Sequence, residues 1–401
     1  MTDFDQILSK STRGVEDSII IKMAQRARDL KGQGRDVVSL TIGEPDFDTP
    51  QFIKQAATDA MDQGFTHYSP MPGMPQLREA LSAKLKAENG LAYSTDEIVV
   101  TNGAKQAITN AAFALLDDGD EVIMPTPFWV AYEGISVMAG GKPVIIKTTS
   151  RDGFKMTPAA LEAAITERTK LLIFSNPCNP SGAVYTRDEL EALAAIVRKH
   201  PRMMVMADEI YEYIIFDKPH ISFGALDGMR ERTITINGFS KGFAMTGWRL
   251  GFLAAAAPVA KACAKVQGTF TAGANAFVQI AAATALAESR AECEKMTRSY
   301  HARRDLIARL LADIPGVSVR PPDGTFYIFP DVSAHLGKTA GNHRVETVED
   351  LCLWLLEEHD VATVPGGAFG DADCLRMSFA CSEEDIEKGV SRMREAFSLL
   401  A

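Results

Sequence analysis

The sequence has few of the features that mark a metal-bound, disulfide-linked or membrane protein. Its six cysteines are scattered, its seven histidines form no H-E-x-x-H motif, and no C-x-x-C occurs. We therefore expect reduced thiols in a cytoplasmic protein and no metal site. The apolar stretches near 252–260 and 276–287 are too short to span a bilayer, and the first five residues lack the pattern of a secretory signal.

The sequence also lacks an excess of positive charge. It has 42 Lys and Arg against 52 Asp and Glu, which gives a formal net charge of −10. Binding to nucleic acid needs a basic face that neutralises phosphates, so we expect no nucleic-acid partner, and without a spanning segment no membrane partner. Apolar residues make up 46% of the 401 residues, as in an ordinary globular protein.

Short apolar runs alternate with helical patterns through the middle of the chain. Alternating strands and helices predict an α/β fold with a mainly parallel seven-stranded sheet and helices on both faces. Most of the runs are continuously apolar, as expected for a sheet that is buried on both sides. The candidate strands are Glu97–Thr101, Glu121–Met124, Pro143–Lys147, Lys170–Ser175, Met203–Ala207, Thr233–Asn237 and Leu250–Ala254.

The pattern changes toward both ends of the chain. After about residue 285, a long charged helical stretch, Ala287–Ala312, leads into short strands and two further helices. This succession of helices and short strands predicts a smaller α+β domain beside the large one. We divide the chain into an N-terminal arm, 1–45, that packs with the small domain, a large domain, 46–290, and the small domain, 291–401.

Candidate functional residues follow the strands, where ligands bind in open α/β sheets. Small residues open a helix at Asn102-Gly103-Ala104-Lys105-Gln106, and the N–H groups there suit an anion, although an ordinary helix start has the same pattern. Asn176-Pro-Cys-Asn179-Pro is typical of a rigid turn, which also suits an amide aimed at a ligand. Asp208 ends an apolar strand, where an unpaired carboxylate is costly to bury.

Two interpretations apply to the segment after the strand at 233–237. Gly238-x-Ser240-x-Gly242 matches the nucleophile elbow of a serine hydrolase. Lys241, among apolar and glycine residues, is a candidate for Schiff-base chemistry because desolvation lowers the pKa of an amine. The second interpretation is favoured by four features taken together: the helix start, Asp208, Lys241 and Arg249. They suit pyridoxal phosphate, which has a phosphate, a protonated ring nitrogen and an aldehyde.

Three motifs occur in an order and spacing that resemble the class I/II pyridoxal-phosphate aminotransferases of fold type I, especially the bacterial aspartate aminotransferase subgroup. They are Asn179-Pro-x-Gly182, Asp208-Glu-x-Tyr211 and Ser240-Lys241-x7-Arg249. The resemblance extends from Gly43-Glu-Pro-Asp to Leu375-Arg376. It implies transamination between an amino acid and a 2-oxo acid, in a homodimer with shared active sites.

The resemblance also implies roles in binding pyridoxal 5′-phosphate. Lys241 forms the Schiff base and moves the substrate proton, while Asp208 keeps the ring nitrogen protonated. Tyr211 and Asn179 contact the ring hydroxyl, and Trp129 stacks on the ring. The residues that the resemblance assigns to the phosphate are Ser240, Arg249, Gly103, Ala104, Lys105 and, in the neighbouring subunit, Tyr68.

The substrate residues implied by the resemblance are Arg376 and Gly43 for the α-carboxylate, with Trp129 and Asn179 beside them, and Lys105 and Ser18 for an acidic side chain. The last two favour aspartate and glutamate, with oxaloacetate and 2-oxoglutarate as the oxo acids. The segment before Ser18 departs from the usual Pro-Ser of the subgroup, so aromatic amino acids, prephenate and alanine are alternatives. A carbon–sulfur lyase on the same fold and a serine hydrolase with Ser240 are further alternatives.

Overall fold

The computed structural model of the chain describes residues 7–14 and 19–401. The described residues contain thirteen α-helices: α1 Lys10–Arg13, α2 Ile19–Gly32, α3 Gln51–Asp62, α4 Pro75–Asn89, α5 Ala104–Leu115, α6 Ala131–Met138, α7 Pro158–Ala164, α8 Arg187–Lys199, α9 Ala257–Phe270, α10 Ala276–Glu288, α11 Arg290–Ala312, α12 Val348–His359 and α13 Glu383–Ser398. Among these described helices, none has the length and apolar character needed to cross a membrane.

The same residues contain fourteen strands, most of them short. They are β1 Val38–Ser39, β2 Ile98–Thr101, β3 Glu121–Pro125, β4 Lys142–Ile146, β5 Thr169–Ser175, β6 Met204–Asp208, β7 Thr233–Gly238, β8 Gly251–Ala254, β9 Tyr327–Ile328, β10 Thr339–Ala340, β11 His343–Arg344, β12 Val361–Ala362, β13 Val364–Pro365 and β14 Leu375–Ser378.

Seven strands form one large sheet in the order β2-β8-β7-β6-β5-β3-β4. The strand β8 runs antiparallel to both of its neighbours, and the other pairs are parallel. Each strand begins and ends within one residue of the run expected from the sequence. The predicted fold class, α/β with a mainly parallel seven-stranded sheet, is therefore confirmed.

Helices cover both faces of this sheet. Side chains along a strand alternate between the faces, so a continuously apolar strand needs packing partners on both sides. On β5, Leu171 and Ile173 pack in one core with residues of α5 and α9. Leu172 and Phe174 of the same strand pack in a second core with residues of α8. The helix α8 begins at a capping box, in which Thr186 Oγ1 accepts a hydrogen bond from the Glu189 backbone N–H and the Glu189 carboxylate accepts one from Thr186 N–H.

The N-terminal and C-terminal parts of the chain share a further core. Residues of α2 pack with residues of α11, α12 and α13, and β1 pairs in parallel with β12. The strands β13, β14 and β9 form a three-stranded antiparallel sheet in that order. The helix expected at Ala287–Ala312 begins at Arg290, because α10 ends at Glu288. The domain boundaries at residues 45 and 290 stay predictions.

The carboxyl ends of the parallel strands lie at one edge of the large sheet. There β5 ends at Ser175 and β6 ends at Asp208, which are paired across the two strands. The strand β2 leads through Asn102 and Gly103 into α5, and β7 leads into the segment that carries Ser240 and Lys241. This edge therefore collects the polar residues that follow the strands.

Candidate active site

A cavity of about 640 Å³ lies at this edge of the sheet. The ends of β5 and β6, the start of α5, the segment after β7, the helix α2 and the strand β14 all contribute to its wall. It brings together eleven of the fourteen site residues expected from the sequence: Gly43, Ala104, Lys105, Trp129, Asn179, Asp208, Tyr211, Ser240, Lys241, Arg249 and Arg376.

The other three expected residues do not line this cavity. Gly103 lies beside it, where a Cβ atom would come within 2.6 Å of Arg249 Nη2. Tyr68 is 97% exposed and borders a separate surface pocket, so its expected role depends on a second subunit. Ser18 lies outside the described residues.

Asp208 is a buried carboxylate at the end of β6, with 5% of its surface exposed. Its Oδ2 accepts a hydrogen bond from Tyr132 OH at 2.5 Å, and its Oδ1 accepts one from Ile210 N–H at 3.2 Å. Burial raises the pKa of Asp208 to about 6, although these hydrogen bonds favour the charged form. A protonated nitrogen in the cavity would therefore gain a strong partner in Asp208.

Lys241 presents a primary amine to the same cavity. Its Nζ donates a hydrogen bond to the Gly43 carbonyl oxygen and lies 5.7 Å from the centre of the Tyr211 ring. Burial and the positive charge of Arg376 lower the pKa of Lys241 to about 8. A usable fraction of the amine is therefore neutral near neutral pH, as nucleophilic and general-base chemistry requires.

The start of α5 and the side chain of Arg249 form an anion-binding corner. No side chain caps α5 at Gly103, so its first N–H groups and the helix dipole favour a negatively charged group. Arg249 has a left-handed φ of 55°, and its Nη1 donates to Thr246 O at 2.9 Å. A non-glycine residue keeps such a conformation only where its surroundings hold it, which is common at ligand sites.

Lys105 follows this corner in the first turn of α5. Its ammonium lies 4.9 Å from the centre of the Trp129 ring, in the geometry of a cation–π contact. Burial, with a smaller contribution from the charge of Arg249, lowers the pKa of Lys105. Lys105 therefore lies in the cavity wall between the anion-binding corner and an aromatic face.

Arg376 is a buried guanidinium on β14, with 2% of its surface exposed. Its Nη1 donates to Asn179 Oδ1 at 3.2 Å and its Nη2 to Thr41 O at 3.0 Å. Within the described residues its Nε has no hydrogen-bond partner, and the two acceptors are neutral. A buried cation without an anion is costly, so a carboxylate from a ligand would gain a strong partner at this guanidinium.

Two tyrosines in the cavity wall were missed by the sequence analysis. Tyr132 lies in the first turn of α6, three residues after Trp129, and its closeness in sequence to that expected site residue could have found it. Tyr327 accepts a hydrogen bond from Tyr211 OH at 3.1 Å. It lies on β9, beside the strand that carries Arg376, and only the strand pairing brings it to the site.

The serine hydrolase interpretation receives no support from this geometry. Ser240 lines the cavity, but none of the residues that line it within the described chain is a histidine. A hydrolase of that type needs a histidine as general base next to the serine. Ser240 lies in the cavity wall together with Arg249.

Comparisons with known proteins show the family of this chain. The model of the family Aminotransferase class I and II matches residues 35–393. The bifunctional aspartate aminotransferase and glutamate/aspartate-prephenate aminotransferase of Petunia hybrida is 43% identical, over 98% of this chain and 83% of its own length.

Solved structures of aminotransferases are also similar to this chain. The crystal structure of the aspartate aminotransferase from Rhizobium meliloti superposes with a TM-score of 0.95 at 40% identity, covering 98% of this chain and 99% of that one. The aromatic aminotransferase from Pyrococcus horikoshii has a TM-score of 0.86 at 42% identity, covering 93% and 98%. The chain therefore belongs to the class I and II aminotransferases, and it is a transaminase.

Proposed function

We propose that this enzyme exchanges an amino group between aspartate or glutamate and the matching 2-oxo acids, oxaloacetate and 2-oxoglutarate, with pyridoxal 5′-phosphate as its cofactor. One observation carries the proposal. A single cavity combines an amine of lowered pKa, Lys241, a buried carboxylate, Asp208, and a buried guanidinium, Arg376, that has no anionic partner among the described residues.

The residues of the cavity match the groups of the cofactor one by one. The uncapped start of α5, with Ser240 and Arg249, suits the phosphate. Asp208 suits the ring nitrogen, and Tyr211, whose hydroxyl is held by Tyr327, suits the ring hydroxyl. When bound, pyridoxal phosphate supplies an electron sink for the negative charge that forms at the substrate α-carbon.

The chain's own residues then divide the remaining tasks. Arg376 binds the α-carboxylate and fixes the orientation of the amino acid, because its planar group matches a carboxylate. Lys241 Nζ accepts the α-proton, since its lowered pKa leaves part of the amine neutral. Asp208 holds a proton on the ring nitrogen through a charge-assisted contact, and Tyr132 keeps the carboxylate oriented.

The preference for acidic substrates rests on Lys105. Its side chain lines the cavity, where a second substrate carboxylate would pair with its ammonium. The name of the Petunia relative includes both aspartate and prephenate, and the Pyrococcus neighbour is named an aromatic aminotransferase. Aromatic amino acids and prephenate therefore form the second candidate class, and alanine stays a prediction from the sequence.

Half-reactions with a panel of amino acids test this proposal. The loaded enzyme is mixed with aspartate, glutamate, phenylalanine, alanine or a cysteine conjugate, and the cofactor absorption is followed. We expect aspartate and glutamate to react fastest, and Lys105→Ala to lower their kcat/KM roughly tenfold or more, with a smaller effect on phenylalanine. Faster reaction with phenylalanine, or pyruvate release from the conjugate, would contradict the assignment.

We also propose a homodimer in which Tyr68 completes the site of the neighbouring subunit. The near-complete exposure of this aromatic side chain in one chain supports a partner contact. Mixing Tyr68→Ala subunits with Lys241→Ala subunits should restore one intact site per mixed dimer, so activity should rise on mixing. Unchanged activity in mixed dimers, or a fully active monomer in sedimentation, would reject the shared site. The cytoplasmic location stays a prediction.

A further inference from the structure

Two buried carboxylates lie next to the cavity residues in sequence but play no part in the proposed reaction. In the segment from Asp208 to Glu212, Asp208 and Tyr211 line the cavity, whereas Glu209 and Glu212 do not. The side chains of Glu209 and Glu212 are 1% and 6% exposed. Because burying a carboxylate is costly unless it is paired, these two positions need an explanation.

Glu212 is paired with the end of α4. Its Oε1 forms an ion pair with Lys84 Nζ, and its Oε2 accepts from Asn89 Nδ2 at 2.7 Å. Lys84 also donates to Asn89 Oδ1 at 2.7 Å and is itself buried. Although burial opposes it, the charge of Lys84 holds the pKa of Glu212 below its usual value, which favours the charged form of this carboxylate.

Glu209 is hydrogen-bonded by a different part of the chain, the segment at 220–223. Its Oε2 accepts from Ser222 Oγ at 2.6 Å and lies 3.1 Å from His220 Nε2. Its Oε1 accepts from Phe223 N–H at 3.1 Å. Asn89 Nδ2 also donates to Ser222 Oγ at 2.9 Å, so the two carboxylates are joined. We call Lys84, Asn89, Glu209, Glu212, His220 and Ser222 the carboxylate network.

The ligand atoms of Glu209, Glu212 and His220 lie within 4.8 Å of one another. Three such ligands close together are also the pattern of a metal site. Here the ammonium of Lys84 already supplies the positive charge, and both oxygens of each carboxylate accept hydrogen bonds from the protein. The network is therefore an internal ion pair that ties α4 to the segment at 208–212.

We propose that Glu209 and Glu212 are positioning residues that hold Asp208 and Tyr211 at the cavity wall. The backbone makes this possible, because Glu209 N–H donates to Ile236 O on β7 and Glu212 N–H donates to Glu209 O, both at 2.9 Å. The turn thus presents Asp208 and Tyr211 to the cavity and the two glutamates to the network. The readouts for this proposal rest on the proposed function, since they use bound pyridoxal phosphate.

A matched set of glutamate-to-glutamine variants tests the proposal. Glu209→Gln and Glu212→Gln keep the shape of each side chain and remove its charge. The control is Glu121→Gln, because Glu121 is equally buried, with 5% of its side chain exposed, and accepts from Thr166 Oγ1 at 2.6 Å. It lies at the start of β3, at the end of the large sheet that is opposite to the cavity. Each variant is measured at saturating cofactor.

Three quantities separate positioning from simple support of the fold. They are the unfolding midpoint, the kcat, and the pH at which the absorption of the bound cofactor changes. We expect Glu209→Gln and Glu212→Gln to lower kcat roughly tenfold or more and to move the absorption midpoint. Glu121→Gln should lower the unfolding midpoint by a similar amount while leaving kcat within about twofold.

If all three variants change only the unfolding midpoint, the network supports the fold alone and the proposal is wrong. Should the two glutamine variants not fold, Ser222→Ala removes a single bridging hydroxyl, and we expect the same shift of absorption midpoint at smaller size. An unshifted midpoint in folded Ser222→Ala would then overturn the proposal. A wild-type enzyme without cofactor absorption would instead refute the proposed function, so the two failures can be told apart.

Discussion

Replacing Tyr132 by phenylalanine removes one hydroxyl from the cavity and leaves the ring in place. The hydroxyl donates to Asp208 Oδ2 at 2.5 Å, and a hydrogen bond to a buried charged group contributes about 1.5–3 kcal/mol. One pKa unit corresponds to about 1.4 kcal/mol. Because the hydrogen bond favours the ionised carboxylate, its loss should raise the pKa of Asp208 by about one to two units from the present value of about 6.

The affinity for pyridoxal phosphate reports this change. Protonated Asp208 must lose its proton before it can pair with a protonated ring nitrogen, so affinity falls as the pH drops through the pKa of Asp208. Titrating the cofactor-free protein with pyridoxal phosphate between about pH 5 and pH 9 gives the midpoint of that fall. We expect the midpoint in Tyr132→Phe to lie about one to two pH units above that of the wild type.

The comparison needs a control because the cofactor phosphate also titrates in this range. Tyr185→Phe removes a buried hydroxyl that accepts from Met156 N–H at 2.8 Å and does not line the cavity. Its midpoint should equal that of the wild type. An unshifted midpoint in Tyr132→Phe, or a shift to lower pH, would refute the reasoning that Tyr132 favours the ionised form of Asp208.

Three further variants have defined outcomes. Arg376→Lys removes the planar group that matches a carboxylate, and KM for every amino donor should rise roughly tenfold to a hundredfold; an unchanged KM would reject that role. Gly103→Ala places a Cβ 2.6 Å from Arg249 Nη2 at a φ of 85°, so the dissociation constant for pyridoxal phosphate should rise roughly tenfold. An unchanged dissociation constant would exclude the anion-binding corner as the phosphate site. His335 is 3% exposed, and burial lowers its pKa. The free energy of unfolding should therefore decrease as the pH drops below about 6.5, because the unfolded chain then binds a proton more readily than the folded one. His335→Leu should flatten that dependence in urea unfolding at several pH values, and an equal slope in both proteins would contradict it.

The large sheet was predictable because its strands are continuous apolar runs bounded by polar residues. Such runs have one stable place, between two layers of helices, so both ends of each of the seven strands are within one residue of expectation. The position of Asp208 and Lys241 at the same edge follows from the rule that ligands bind at the carboxyl ends of parallel strands. The cavity confirms that both residues face one space.

The rest of the site depends on contacts between distant parts of the chain, which local patterns do not encode. Lys84 and Glu212 are 128 residues apart, and only the packing of α4 against the segment at 208–212 brings them together. The free Nε of Arg376 is visible only when all its neighbours are placed. The expected role of Tyr68 needs a second chain, so neither the sequence nor one folded subunit tests it.

Reduction of the loaded enzyme with borohydride, followed by peptide mapping, tests the central claim most directly. The reagent fixes the cofactor to the amine that carries it, and three lysines line the cavity: Lys31, Lys105 and Lys241. We predict a single pyridoxyl group, on the peptide that contains Lys241. A label on Lys105, on any other lysine, or on no peptide at all would contradict the account.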